Sequence, residues 1–224
     1  MSTGAVVFFA LLGAVAGSVV VVPALRHIPE EWDPPRNARL AIVLANSALW
    51  ALAANKFSRG WVVLPYLVVF SVLLAVSVVD LRLFRIPDRF VFPGLIITLA
   101  LILIASFVVL PSASDAFRVL RFAGVGLLTY FLILFFFHLV YPRGMGFGDV
   151  KLALLMGLSL GWLATSYFNA VYLVLIALFI GCVLGIVFGL VWRVVQGKGG
   201  AFPFGPALAV AVIYVVLTFD RYLT

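Results

Sequence analysis

The chain has 224 residues, of which 66% are hydrophobic and 10% are charged, and its mean hydropathy is +1.28. Soluble domains contain about 45–50% apolar and about 25% charged residues, so this composition excludes a water-soluble domain. The formal charge of +7 comes from fifteen Lys and Arg residues scattered between apolar runs. We therefore expect these cations to set membrane topology and to contact anionic lipids, with no nucleic acid as a partner.

Eight apolar runs follow one another along the chain, and each predicts a helix because a helix leaves no backbone group unsatisfied in lipid. They cover residues 5–25, 40–54, 61–79, 90–110, 122–140, 150–168, 171–192 and 206–219. The second and the last are shorter than the roughly 20 residues that cross a hydrocarbon core. The expected fold class is all-α: one polytopic membrane domain over residues 1–224, with about eight transmembrane helices.

The cations around these runs predict the orientation of the chain. No basic residue precedes the first run, and Arg26 follows it, which favours a retained helix over a cleaved signal peptide and places the N-terminus outside. With that start, the inner face holds ten cations and the outer face five, which predicts an N-out, C-out topology. The inner ten are Arg26, Arg36, Arg39, Arg82, Arg85, Arg89, Arg143, Lys151, Arg193 and Lys198, and the outer five are Lys56, Arg59, Arg118, Arg121 and Arg221.

The carboxylates are few, and none lies in the middle of a predicted helix. They are Glu30, Glu31, Asp33, Asp80, Asp88, Asp115, Asp149 and Asp220. Proton-coupled transporters and pumps usually carry an ionisable residue near the bilayer midplane, so this distribution counts against them and favours chemistry at a membrane face. A neutral-solute transporter or a non-enzymatic membrane scaffold stays open as an alternative.

Asp80 ends the third run and Asp149 begins the sixth, so the predicted topology places both at the inner face. Two carboxyls held close together and partly out of water do not ionise together easily, so one keeps its proton while the other can act as a base. Such a pair can activate water against a peptide bond. Asp80 and Asp149 are therefore the predicted catalytic residues.

The residues around Asp149 favour close approach of a substrate. Gly144-Met145-Gly146-Phe147-Gly148 precedes it, and glycines allow backbone conformations that other residues rarely adopt. A helix N-terminus and nearby Lys151 favour a negative charge, so Asp149 is the expected ionised member. Gly146, Gly148 and Lys151 are the predicted site-shaping residues, and we expect no cofactor and no metal.

Other polar residues have structural interpretations. Asp88 follows Pro87 and precedes an apolar run, which is typical of a helix N-cap. Glu30, Glu31 and Asp33 predict an exposed loop. His138 is interpreted as a satisfied interfacial histidine rather than a catalytic one. The single cysteine, Cys182, excludes an intrachain disulfide and is expected to be a small core residue.

The segment Gly146-Phe147-Gly148-Asp149-Val150-Lys151-Leu152, together with Asp80 to Asp88 upstream, resembles the type IV prepilin peptidase family of intramembrane aspartic proteases. The likeness extends to Gly17-Ser18 with Arg26 and Pro29, and to Phe202-Pro203-Phe204-Gly205-Pro206 before the last helix. This resemblance implies an endopeptidase of the plasma (inner) membrane, with its active site facing the cytoplasm, that removes the basic leader of prepilin-like substrates. Asp80 and Asp149 match the family's catalytic positions.

The resemblance is to a short form of the family. Many members carry paired C-x-x-C motifs that bind zinc in the first inner loop, whereas the stretch from Arg26 to Arg39 is short and has no cysteine. Many also methylate the new N-terminus with S-adenosylmethionine, but no Gly-rich nucleotide loop is evident in a cofactor-binding setting, which counts against that activity. An archaeal preflagellin-type peptidase is an alternative that differs in substrate rather than mechanism. The substrate's identity and the oligomeric state are left open.

Overall fold

The computed structural model describes residues 2–26, 34–57, 59–142, 145–196 and 203–219, and within these ranges it contains helices and no strand. The expected all-α fold is confirmed. The helices are α1 (Thr3–Ala16), α2 (Val22–Arg26), α3 (Arg36–Lys56), α4 (Gly60–Leu83), α5 (Asp88–Val109), α6 (Ala113–Val140), α7 (Phe147–Leu163), α8 (Tyr167–Gln196) and α9 (Gly205–Thr218). A π-helical turn (Gly17–Val21) joins α1 to α2, so the first apolar run forms one continuous helical segment. Each of the eight runs corresponds to one such segment, which we call a rod.

Six of these rods are long and apolar enough to cross a membrane: Thr3–Leu25, Arg36–Lys56, Gly60–Leu83, Asp88–Val109, Ala113–Val140 and Tyr167–Val194. The second run gives a longer helix than its apolar residues predict, since polar residues from Arg36 onward extend α3 to 21 residues. By contrast, α7 has 17 residues and α9 has 14, short of the roughly 20 that span a hydrocarbon core.

The sixth apolar run is divided differently from the prediction. α7 ends at Leu163 and α8 begins at Tyr167, so Phe168 belongs to the following helix. The boundary comes from local hydrogen bonds, because the Asn169 side chain accepts from the N–H of Thr165 and the Ser166 hydroxyl accepts from the N–H of Asn169. Short polar side chains of this kind compete with a continuing helix by bonding the backbone themselves.

The core of the bundle is built around α7, in which all residues from Leu152 to Leu163 except the half-buried Leu154 are buried. Its backbone packs directly on α6. An added Cβ at Gly157 would meet the carbonyl oxygen of Gly126, and one at Gly161 would meet that of Phe122. Small residues at such contacts let membrane helices approach closely, and here they fix how α7 lies against α6.

A buried polar cluster joins the N-terminal rod to α3 and α4. Asn46 is fully buried; its amide donates to the carbonyl oxygen of Gly13 at 2.8 Å and accepts from the Ser71 hydroxyl at 2.8 Å. Trp50 in turn donates to that hydroxyl at 2.9 Å. With each group paired, the cluster holds α1 and α3 against the helix that carries Asp80.

One prediction about a single residue, that Cys182 belongs to the core, is wrong. Cys182 is exposed rather than part of the core, because it lies on the outward face of α8 beside Val183 and Ile186. Several predicted features lie outside the described residues: Pro29, the loop carboxylates Glu30, Glu31 and Asp33, Gly144, Phe202, Asp220, and the topology cations Arg143, Lys198 and Arg221.

Candidate active site

Asp80 lies in the last turn of α4 and is only 5% exposed. A carboxylate is disfavoured at a helix C-terminus, where the backbone carbonyls are negative. A second helix compensates, since the N–H of Gly205 donates to Asp80 Oδ2 at 2.9 Å. Gly205 is the first residue of α9, where N–H groups have no partner within their own helix, so this donor is available to a side chain.

Asp149 is the third residue of α7 and is 8% exposed. Its backbone N–H bonds the carbonyl oxygen of Gly146 at 3.1 Å, which closes the first turn. Its Oδ1 is buried and has no hydrogen-bond partner among the described residues. An added Cβ at Gly146 would lie 3.4 Å from Asp149 Oδ2, so that oxygen lies toward the loop that precedes α7.

Ile86, in the loop between α4 and α5, connects the surroundings of the two aspartates. An added Cβ at Gly148 would lie 2.8 Å from the Cβ of Ile86, and one at Gly205 would lie 3.4 Å from its Cδ1. Gly148 precedes Asp149, and Gly205 bonds Asp80. The two carboxyls are close enough for the charge of one to act on the other. The structure therefore brings Asp80 and Asp149 together at one end of the bundle.

Lys151 bonds Asp88 rather than Asp149, the carboxylate whose negative charge it was expected to favour. Its Nζ donates to both oxygens of Asp88, at 2.7 and 2.8 Å, and lies 5.2 Å from the ring centroid of Phe147. The N-cap prediction for Asp88 is wrong: Pro87 is the N-cap of α5, and Asp88 is its first residue. The ion pair links the start of α5 to the start of α7.

These contacts bear on the predicted distribution of charge between the two aspartates. The helix N-terminus at Asp149 favours a negative charge by about 0.3–1 kcal/mol. A hydrogen bond to a charged group contributes about 1.5–3 kcal/mol, and the Gly205 N–H provides one to Asp80. Because Lys151 turns to Asp88, the hydrogen bonding favours the charge on Asp80 and the proton on Asp149.

The family model described as "Type IV leader peptidase family" matches residues 67–190, more than half of the chain and a range that includes both aspartates. The chain belongs to the type IV leader peptidase family. Together with the six apolar helices, this membership identifies a protein of the inner membrane.

Curated relatives within this family are similar over most of the chain. A prepilin leader peptidase/N-methyltransferase of Aeromonas hydrophila is 31% identical over 79% of this chain and 57% of its own length. Proteins of the same name from Stutzerimonas stutzeri and Burkholderia pseudomallei (strain K96243) are 34% and 33% identical, over 80% and 83% of this chain and 58% and 57% of their own lengths. The chain thus spans about half the length of these relatives. No solved structure matches it significantly.

One further polar residue near the two aspartates, His138, contacts the segment that precedes α7. His138 Nδ1 lies 2.9 Å from the carbonyl oxygen of Met145, and its ring packs on Phe147 at 5.3 Å, consistent with its interpretation as a satisfied interfacial histidine. Among the described residues, no group of three or more His, Cys, Asp or Glu side chains could hold a metal ion.

Two residues of the site were not identified from the sequence. Ile86 is one of many aliphatic residues, and nothing in its neighbours distinguishes it. Gly205 stands within the quoted Phe-Pro-Phe-Gly-Pro segment, but its contribution is a backbone N–H, which every residue except proline has. The available signal was Pro206, which is typical of the first turn of a helix and places free N–H groups beside it.

Proposed function

We propose that this protein is an aspartic endopeptidase that removes the leader of prepilin-like substrates at the cytoplasmic face of the membrane. The observation that carries the proposal is the meeting of Asp80 and Asp149 in one site, both more than nine-tenths buried, at one end of the bundle. The names of the relatives, prepilin leader peptidase/N-methyltransferase, support the substrate class. The proposal covers the peptidase activity alone.

The two carboxyls divide the proton transfers of peptide hydrolysis between them. Asp80, ionised and held by the Gly205 N–H, removes a proton from a water that attacks the peptide carbonyl carbon. Asp149, protonated, donates its proton to the leaving nitrogen, and the C–N bond breaks. Asp149 is then ionised and Asp80 protonated, so one proton must pass back before the next turnover. The pair holds one proton before and after each turnover, and because the two carboxyls interact it titrates as a unit.

The surroundings of the aspartates fit this chemistry. The side chain of Ile86 packs between Gly148 and Gly205 and limits the entry of water to the pair. At Gly146 the missing side chain leaves room for an extended peptide to approach Asp149, whereas the space at Gly148 is filled by Ile86. A site at the membrane edge receives a peptide bond next to an apolar segment that stays in lipid. In the N-out, C-out topology this edge is cytoplasmic, where scattered cations contact anionic lipids.

The test is Asp80→Asn and Asp149→Asn, each assayed for leader removal from a prepilin substrate in membranes. Each variant should lose at least about a hundredfold in rate, because a positioned acid or base contributes about 10²–10⁴-fold. Asp115→Asn is the matched control: this carboxylate lies in the first turn of α6 and bonds Arg118 and Ser112 at the membrane edge opposite to the two aspartates.

Normal processing by either site variant, at wild-type protein levels, would refute the proposal. A transporter or scaffold predicts instead that these variants change stability or insertion and leave proteolysis unaffected. Mass spectrometry of pilin-like N-termini, with and without the protein, identifies the substrate and separates a prepilin from a preflagellin-type enzyme.

A further inference from the structure

Three buried side-chain oxygens have no hydrogen-bond partner among the described residues: Thr98 Oγ1, Tyr130 Oη and Asp149 Oδ1. A buried polar group without a hydrogen-bond partner lowers stability by about 1–3 kcal/mol, so each one requires an explanation. Tyr130 is the most notable, because phenylalanine would fill the same volume without a hydroxyl. Its helix uses phenylalanine freely, at Phe131 and at three consecutive positions from 135 to 137.

Tyr130 lies on the face of α6 that packs against α7. It follows Gly126 by one turn, and Gly126 is in backbone contact with Gly157 of α7. Gly126 meets Gly157 and Phe122 meets Gly161, so the two helices run in opposite directions, and each turn along α6 beyond Gly126 moves closer to the start of α7, where Asp149 lies. The Tyr130 side chain is fully buried, as are Val150 and Ala153 in the first turns of α7.

Two further titratable groups, Cys182 and Asp80, lie around Tyr130 and Asp149. The charge of Asp149 acts on the phenol of Tyr130, as does that of Cys182 on α8, and the charge of Asp80 on α4 acts on Asp149. Of these groups, Asp149 is the one with an oxygen that is both fully buried and unpaired. The unpaired hydroxyl and the unpaired carboxyl oxygen therefore lie in the same part of the core.

We propose that Tyr130 is a positioning residue for Asp149, and that its hydroxyl donates a hydrogen bond to Asp149 Oδ1 through one water molecule. The inference rests on the proposed function. Holding the inward oxygen leaves Oδ2, on the side of Gly146, to exchange protons with the substrate. When Asp149 gives its proton to the leaving nitrogen, the Tyr130 hydroxyl stabilises the negative charge that develops, which lowers the barrier of that step.

The test is Tyr130→Phe, which removes the hydroxyl and keeps the ring. We expect kcat to fall about tenfold with KM unchanged, as for the loss of one hydrogen bond to a charged group in the transition state. The alkaline limb of the pH profile of kcat, which reports loss of the proton from Asp149, should move to higher pH because ionised Asp149 has lost a donor. A wild-type kcat, or a limb that does not move upward, would overturn the proposal.

Thr98→Val is the matched control, because it removes the third unpaired buried hydroxyl, which lies on α5. It should leave kcat and the pH profile unchanged, and an effect equal to that of Tyr130→Phe would mean a general disturbance of the core and overturn the inference. Replacement of Tyr130 by 3-fluorotyrosine keeps the fold and provides a more acidic donor. It should move the alkaline limb to lower pH, and an upward shift would contradict the proposal.

Failure of this inference is distinguishable from failure of the proposed function. If Asp149→Asn is inactive and Tyr130→Phe behaves as wild type, only the role of Tyr130 is wrong. If Asp149→Asn keeps its activity, the proposed function itself fails. A further readout is the infrared band of the protonated carboxyl of Asp149, identified by its loss in Asp149→Asn, which should shift in Tyr130→Phe and stay in place in Thr98→Val.

Discussion

Gly205 shapes the surroundings of Asp80 through its N–H and through its lack of a side chain. A Cβ at this position would lie 2.9 Å from Asp80 Oδ2, which is closer than side-chain carbons approach other atoms, and 3.4 Å from Ile86. We therefore expect Gly205→Ala to displace the Asp80 carboxyl and to lower the rate of leader removal at least about tenfold, equivalent to about 1.4 kcal/mol. The rate in proteoliposomes measures this.

Gly4→Ala is the control for that change, because Gly4 also lies at the start of a helix and an added Cβ there has no atom within 4 Å. It should leave the rate unchanged. The protein level and the melting temperature of both variants should stay near those of the wild type. A fully active Gly205→Ala would mean that the Asp80 carboxyl tolerates displacement and would contradict the geometry described above.

That the two aspartates lie at the same end of the bundle could be predicted from the sequence, because a lipid-embedded chain carries few carboxylates and each one is informative. The hydrogen-bond partners around these aspartates could not be predicted from the sequence. Asp80 and Gly205 are 125 residues apart, and a backbone donor leaves no trace in residue type. Lys151 stands two residues from Asp149, but successive positions on a helix point in different directions, and its side chain reaches Asp88 instead.

At the scale of single helices, α7 shows that hydropathy does not reveal whether a helix faces lipid or other helices. Its apolar residues predict a lipid-exposed span, yet nearly all of them are buried by other helices. Lipid and protein interior are equally apolar, so composition does not distinguish them. The boundary after Leu163 is similarly hidden, because it depends on Ser166 and Asn169 side chains bonding the backbone within an otherwise apolar run.

The contact between α6 and α7 predicts that alanine will change stability differently at two glycines with different surroundings. An added Cβ at Gly157 would meet the carbonyl oxygen of Gly126, so Gly157→Ala should force the helices apart and lower the free energy of unfolding by about 1–3 kcal/mol. Gly124→Ala, on α6, has open space and should be neutral or stabilise by up to about 1 kcal/mol. Unfolding in mixed detergent micelles compares them, and equal stabilities would show that the contact is unimportant.

The ion pair between Lys151 and Asp88 joins α5 to α7 but is half in water, since the Asp88 side chain is 54% exposed. Exposed pairs contribute about 0–1 kcal/mol, so a double-mutant cycle with Lys151→Met and Asp88→Asn should give a coupling below about 1 kcal/mol. Asp88→Asn should accordingly keep leader removal within about tenfold of wild type. A loss as large as that of Asp149→Asn would give Asp88 a part in the chemistry.

For the molecule as a whole, the number and order of helices follow from the sequence because a chain in lipid must satisfy its backbone within each segment. The described carboxylates all lie at or near helix ends: Asp80 in the last turn of α4, and Asp88, Asp115 and Asp149 in the first turns of α5, α6 and α7. How the helices pack is a different matter. It depends on backbone contacts such as Gly126 with Gly157, which involve pairs distant in sequence.

Orientation is a property of the whole molecule, and the loops on either side of α7 test it. In the N-out, C-out topology Tyr141, at the end of α6, faces the cytoplasm, and Thr165, after α7, faces outside. Both are exposed. In a Cys182→Ala background, which removes the native thiol, we expect an impermeant maleimide to label Thr165→Cys in intact cells. Tyr141→Cys should react only after the cells are opened.

Maleimide labelling of the same two introduced cysteines also tests whether the short helix α7 crosses the membrane. Its 17 residues measure about 26 Å at 1.5 Å per residue, slightly less than the hydrocarbon core of about 30 Å. A buried helix does not need to match the lipid thickness, because protein rather than lipid surrounds it, so opposite labelling of the two sites is expected. The reverse pattern would place Asp80 and Asp149 outside the cell, and identical labelling would mean that α7 returns to the face it left. Either result would contradict a cytoplasmic peptidase site with this topology.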